Sequence, residues 1–120
     1  MRTILIFLLL LSFNSLAQQI INEGEFKEKL NEDIVLIEFY AEWNKDNCVD
    51  LGEFKDVSSY MVNIEDCPSL ASTYQILSVP TILIFYNKEV VERYEADLTF
   101  QLSIEAPKKK VEELVLKKFM

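Results

Sequence analysis

An α/β domain, with a mixed central β-sheet flanked by helices on both faces, is the fold class that three features of this 120-residue chain predict. Two runs, Ile34 to Tyr40 and Thr81 to Tyr86, are β-branched and aromatic with almost no polar break, as strands buried on both faces require. Helical stretches alternate with strands around the first run. A hairpin signal follows the second. The length suits one domain and not two with separate cores.

Taken in order, Asn22 followed by Glu25 resembles a capping box, and Phe26 and Leu30 are spaced for the buried face of a short helix ending near Asn31. Ile34 to Tyr40 is the first central strand, and the one acid within it, Glu38, needs an explanation. Residues 47 to 54, NCVDLGEF, have weak helical spacing, with Gly52 limiting their length. Tyr60 to Ile64 reads as a strand, and a turn at Asp66-Cys67-Pro68 opens a short helix from Ser69 to Tyr74. Thr81 to Tyr86 is the second central strand, Asn87-Lys88 is turn chemistry, and Val90 to Tyr94 is the returning strand. Pro107 suits the first turn of a last helix with Val111, Leu114, Val115 and Phe119 on one stripe. The order reads βαβαβαββα.

The first residues place Arg2 before an apolar run from Ile4 to Leu11, then polar residues and the small-x-small step Ser15-Leu16-Ala17. This is the layout of a cleaved signal peptide, and the run is well short of the roughly 20 residues that span a bilayer. Residues 1–17 are therefore expected to be removed, leaving 18–120 as a periplasmic or secreted domain with no stable membrane anchor. Removal takes Arg2 and no acid, so the formal charge moves from −8 to −9. Such a surface repels phosphate backbones and excludes nucleic acid as a partner. Lys108-Lys109-Lys110 is followed by Glu112-Glu113 and reads as a solvated helix face. Histidine is absent, which excludes Ser-His and Cys-His nucleophile activation and the usual imidazole metal ligands. No metal or other cofactor is implied, and the expected state is a monomer.

Two motifs carry a family resemblance. Glu38-Phe39-Tyr40-Ala41-Glu42-Trp43 resembles the strand end that precedes Cys-Gly-Pro-Cys in thioredoxins, and Ser78-Val79-Pro80-Thr81 through Phe85 is similar to the stretch that leads into their fourth strand. The resemblance covers most of residues 20 to 95 and implies a thioredoxin-like fold. It also implies that Val79-Pro80 is a cis peptide facing the Trp43 loop, presenting backbone to an extended partner segment.

Where the family carries its attacking and resolving thiols, this chain has Asn44 and Asn47. An amide is neither a nucleophile nor able to form a disulfide, so two-cysteine exchange is not available. Moving the gap by one residue would place Cys48 at the resolving position and leave the attacking position empty. Cys48 remains a candidate catalytic monothiol if a helix start favours its thiolate. Its place one turn after Asn44 puts it beneath the site rather than at the tip.

By the same resemblance, Glu38 stands where thioredoxins carry a buried acid that relays protons. Without the thiol pair, a carboxylate satisfied by a lysine or by water is the preferred expectation. The resemblance brings Cys67 close to the Trp43 loop, so a Cys48–Cys67 disulfide and two separate thiols are both open.

The helix after the first central strand should be cut to about two turns, leaving Phe54 and Val57 either as exposed contacts or as a patch over the sheet. The segment Ala96 to Ala106 alternates Leu98, Phe100, Leu102 and Ile104, a strand-like period that suggests an added edge strand or an extended arm. Together these features point to a redox-inactive module binding a protein or peptide through Trp43, Asn44, Asn47, Val79 and Pro80. The alternative is a one-cysteine oxidoreductase using Cys48.

Overall fold

The computed structural model describes residues 19–119. The expected signal segment, residues 1–17, lies outside the described residues. Four strands form one sheet in the order β2-β1-β3-β4: β1 is Ile34–Tyr40, β2 Ser58–Asn63, β3 Thr81–Tyr86 and β4 Glu89–Glu95. β1 pairs parallel with β2 and antiparallel with β3, and β3 pairs antiparallel with β4. The leading strand of the expected order is reduced to a single bridge from Ile20 to Met61, which covers the outer edge of β2.

All seven residues of β1 are buried, because side chains that alternate in direction along a central strand meet a covering layer on each side. Val35, Ile37 and Phe39 face α1 (Glu23–Lys29) and α2 (Pro68–Thr73), where Phe26, Tyr74 and Phe85 pack edge to face or tilted at 5.6 to 5.9 Å. Ile34, Leu36 and Tyr40 face α3 (Glu105–Lys118), with Val111 and Leu114 inward. The capping box at Asn22 and Glu25 forms with both of its hydrogen bonds, 2.9 and 3.1 Å. Asn87 and Lys88 both take positive φ, as a two-residue hairpin turn of the primed type demands.

The structure departs from the helix expected after β1, decides between the alternatives left open for Phe54, Val57 and residues 96–106, and moves Phe119. Residues 42–54 hold no α-helix but two 3₁₀ segments, Glu42–Asn47 and Leu51–Glu53. Phe54 is not an exposed contact: it is 4 % exposed and enters the core beneath α3 with Val49 and Leu51, while Val57 packs partly buried against them. The sheet is thus patched by side chains where a helix would have covered it. The segment 96–104 adds no strand; Leu102 and Ile104 turn into the core beneath α3, whereas Leu98 and Phe100 point outward. Phe119 also leaves its predicted stripe and is exposed at the end of α3.

Candidate functional site

The loop leaving β1 begins as a 3₁₀ turn at Ala41, with the Asn44 N–H donating to the Ala41 carbonyl at 3.0 Å. Asn44 itself departs from helical backbone (φ −117, ψ 16) because its side chain is held from elsewhere. Its Nδ2 donates to the Val79 carbonyl at 2.8 Å and to the Phe100 carbonyl at 3.4 Å, and its Oδ1 accepts from Asn47 Nδ2 at 2.8 Å. An amide offers both donors and an acceptor, so Asn44 stays satisfied at 6 % exposure while joining three loops. A hydrogen bond between Asn44 and Asn47 now spans the two positions that the resemblance assigns to thiols.

Backbone bonding explains why no α-helix follows. In an α-helix the Val49 N–H would donate to the Lys45 carbonyl. Here that carbonyl accepts from the Cys48 N–H at 3.1 Å, in the tighter 3₁₀ pattern, and the Val49 N–H donates to Glu38 Oε2 at 2.7 Å. Cys48 is left with extended backbone (φ −63, ψ 145), off any helix start. Burial and the neighbouring Glu38 push its thiol up to about 12, opposite to the activation a nucleophile needs.

Glu38 is fully buried, and its Oε2 accepts from the Val49 N–H rather than from a lysine. Burial pushes its carboxyl up to about 7, against the lowering effect of that hydrogen bond and with Asp50 adding to the rise. Among the described residues, Glu38 Oε1 and Ser78 Oγ are the buried side-chain polar atoms without a partner, one beneath the site and one in its lining. Cys48 and Cys67 are separate thiols. The disulfide left open by the sequence does not form, because Cys67 packs with Val35, Ile37 and Phe39 whereas Cys48 packs with the core on the other face of the sheet.

Opposite Asn44, Val79 and Pro80 are buried and joined by a cis peptide. Thr81 Oγ1 donates to the Ser78 carbonyl at 2.6 Å, and the Ala96 N–H donates to the Pro80 carbonyl at 3.0 Å, fixing this loop to β3 and to the end of β4. Trp43 stands 65 % exposed, its ring edge-on to Phe100 at 5.2 Å. Between them lies a cleft of about 110 Å³, lined by Trp43, Ile64, Ile76, Leu77, Ser78, Val79 and Phe100.

The structure therefore brings Trp43, Asn44, Asn47, Val79 and Pro80 together and leaves Cys48 below them. Sequence reasoning missed Phe100, Leu77, Ile64 and Ile76. The one usable signal for Phe100 was Asp97, whose carboxylate accepts from the Thr99 and Gln101 N–H groups and closes a turn that no strand would contain. Among the described residues, no group of three or more His, Cys, Asp or Glu side chains is placed to hold a metal ion, and no helix is long and apolar enough to cross a membrane.

A mixed sheet of this order, carrying two non-adjacent cysteines instead of a Cys-x-x-Cys pair, defines a thioredoxin-fold domain without a dithiol centre. The thioredoxin family model matches residues 17–106, and the chain belongs to the thioredoxin family. A thioredoxin of Chlamydia trachomatis is 30% identical over 83 residues, covering 62% of this chain and 80% of the relative. The chloroplastic M-type thioredoxin of Triticum aestivum is 37% identical over 70 residues, covering 51% of this chain and 39% of its own length. Among solved structures, a point mutant of a thioredoxin from Halobacterium salinarum aligns with a TM-score of 0.64 at 25% identity, over 80% of this chain and 88% of that one. Schistosoma mansoni thioredoxin aligns with a TM-score of 0.65 at 20% identity, over 79% and 94%. Dithiol-disulfide exchange of the family type is absent here, since no Cys-x-x-Cys pair exists to carry it.

Proposed function

We propose that this chain is an exported, redox-inactive binding domain that sheds residues 1–17 and grips an extended segment of a protein partner between the Trp43 loop and Val79-Pro80. One observation carries this function. The position that would hold a nucleophile is buried and hydrogen-bonded shut by Asn44, while the apolar surface beside it, Trp43, Leu77 and Phe100, remains exposed. Large exposed aromatic and aliphatic side chains grouped around a cleft are costly for a monomer and favour a binding role. One-cysteine exchange through Cys48 competes with this function and finds weaker support, because a thiol pushed up to about 12 holds almost no thiolate at neutral pH.

The test is selection of displayed linear peptides on the purified protein, followed by affinity measurement against Trp43→Ala. Removing an exposed aromatic anchor should weaken selected peptides at least about tenfold without changing the unfolding midpoint. Peptides that bind Trp43→Ala equally well, or no enrichment at all, would sink the proposal. Export is checked on the same preparation, by a mature mass that begins at Gln18.

A further inference from the structure

Acids outnumber bases around the rim of the cleft, where the cations are Lys45 beside Glu42 and Arg93, which donates to the Tyr74 and Gln75 carbonyls next to Ile76 and is paired with Glu95. The Glu42 N–H donates to the Glu65 carboxylate at 3.2 Å, so these two acids lie side by side next to Trp43. Asp66 follows Glu65 in the same turn after β2, which puts it on the same flank. Across the cleft, Asp97 anchors the turn that carries Phe100. All four acids are exposed. Lys45 approaches Glu42 at 3.9 Å, and among the described residues Glu65, Asp66 and Asp97 make no salt bridge. Lys108, Lys110 and Lys118 of α3 are committed to Glu53, Glu92, Glu113 and Asp33, none of which lines the cleft.

Size narrows the occupant further. Pockets for small molecules run from about 300 Å³ upward. At about 110 Å³, between Trp43, Phe100, Ile76 and Leu77, this cleft has room for one aliphatic side chain rather than a cofactor. Phe100 is held there with a positive φ of 60, an uncommon backbone state for a bulky residue, so the wall it forms is set by its turn.

We infer that the bound segment is basic: an extended stretch placing one aliphatic side chain in the Trp43–Phe100 cleft, with Lys or Arg residues on either side facing Glu42, Glu65 and Asp66 on one flank and Asp97 on the other. This rests on the peptide-binding function proposed above and names the chemistry of its partner. Exposed rim charges act chiefly by steering and by rejecting like-charged competitors, and salt screens them over about 8 Å at physiological ionic strength.

The experiment is fluorescence anisotropy of the purified protein with three labelled nonapeptides that share a central leucine and are flanked by lysines, by serines or by glutamates. At low salt the lysine peptide should bind about tenfold tighter than the serine peptide, and the glutamate peptide weakest. Raising salt to about 300 mM should shrink the advantage to about threefold or less. The Glu65→Gln, Asp66→Asn double variant should remove most of it. Serine and lysine peptides that bind alike, or a glutamate peptide that binds best, would overturn the basic partner while leaving peptide binding intact. Binding of none of the three would overturn both. Self-association in sedimentation that blocks the lysine peptide would make a second copy of this chain the occupant and overturn the inference.

Discussion

The loop leaving β1 and the loop entering β3 face each other across one cleft, and they have been treated in opposite ways. From Val79 to Thr81 the chain is buried, tied back to Ser78 by the Thr81 hydroxyl, and built around a proline whose carbonyl is held by Ala96. From Ala41 to Phe54 the thiols are amides, the helix is gone, and a buried carboxylate takes the backbone N–H that a helix would have used. The proposed binding surface and the family's reactive centre are therefore separable parts of this fold. The proposed binding side needs only rigid backbone and apolar walls. The reacting side needs a thiolate at an activated helix start, and nothing in the packing of the sheet requires that.

Phe54→Ala should have the largest effect, because it asks whether the leaving loop is held by core burial in place of a helix. Removing a phenylalanine side chain that is 4 % exposed should cost about 3–5 kcal/mol, read as a lower midpoint in urea at unchanged slope. A loss below about 1 kcal/mol would mean that the loop is only loosely seated and that the contrast with the rigid Val79-Pro80 side is overstated.

Glu38 comes next, and its effect has a definite sign. An acid whose folded pKa is raised keeps its proton where the unfolded chain has already given it up. Stability should therefore fall as pH rises from about 4.5 to about 7 and level off above that, the gap between 4.5 and about 7 corresponding to about 3 kcal/mol. Glu38→Gln should flatten that window, and the difference between the two proteins should be larger at pH 8 than at pH 5. Equal pH profiles for wild type and variant would show that the carboxylate is not strained beneath the loop.

Asn44→Ala is the smallest of the three, at about 1–3 kcal/mol, since it strands the Val79 carbonyl and the Asn47 amide without their partner. It should also change Trp43 emission, because the Phe100 carbonyl loses the same amide and the edge-on ring contact loosens. An unaltered emission spectrum would separate the two loops again and remove Asn44 from the link between them.

Much of this was legible in the chain. The capping box, both central strands, the hairpin turn and the burial of Val111 and Leu114 follow from local pattern, and the amides at 44 and 47 could be assigned once the flanking motifs had set their place. The seat of Phe54 was not, because a phenylalanine in a weakly periodic segment can cover a sheet or leave it bare. Nor was the site role of Phe100, since Leu98, Phe100, Leu102 and Ile104 alternate like a strand although two point out and two pack inward.

The two central strands, the helices around them and the loss of the thiol pair were written in the chain itself. They depend on residue types and on periods of two or about four, which are local properties. The paths of residues 42 to 54 and 96 to 104 were settled only when the chain packed in three dimensions. The groups that fix them come from far along the chain: the Val79 carbonyl is 35 residues from Asn44, the Phe100 carbonyl 56, and Glu38 is 11 from Val49. A buried polar group takes whichever partner folding brings within about 3 Å, and no local pattern names that partner in advance.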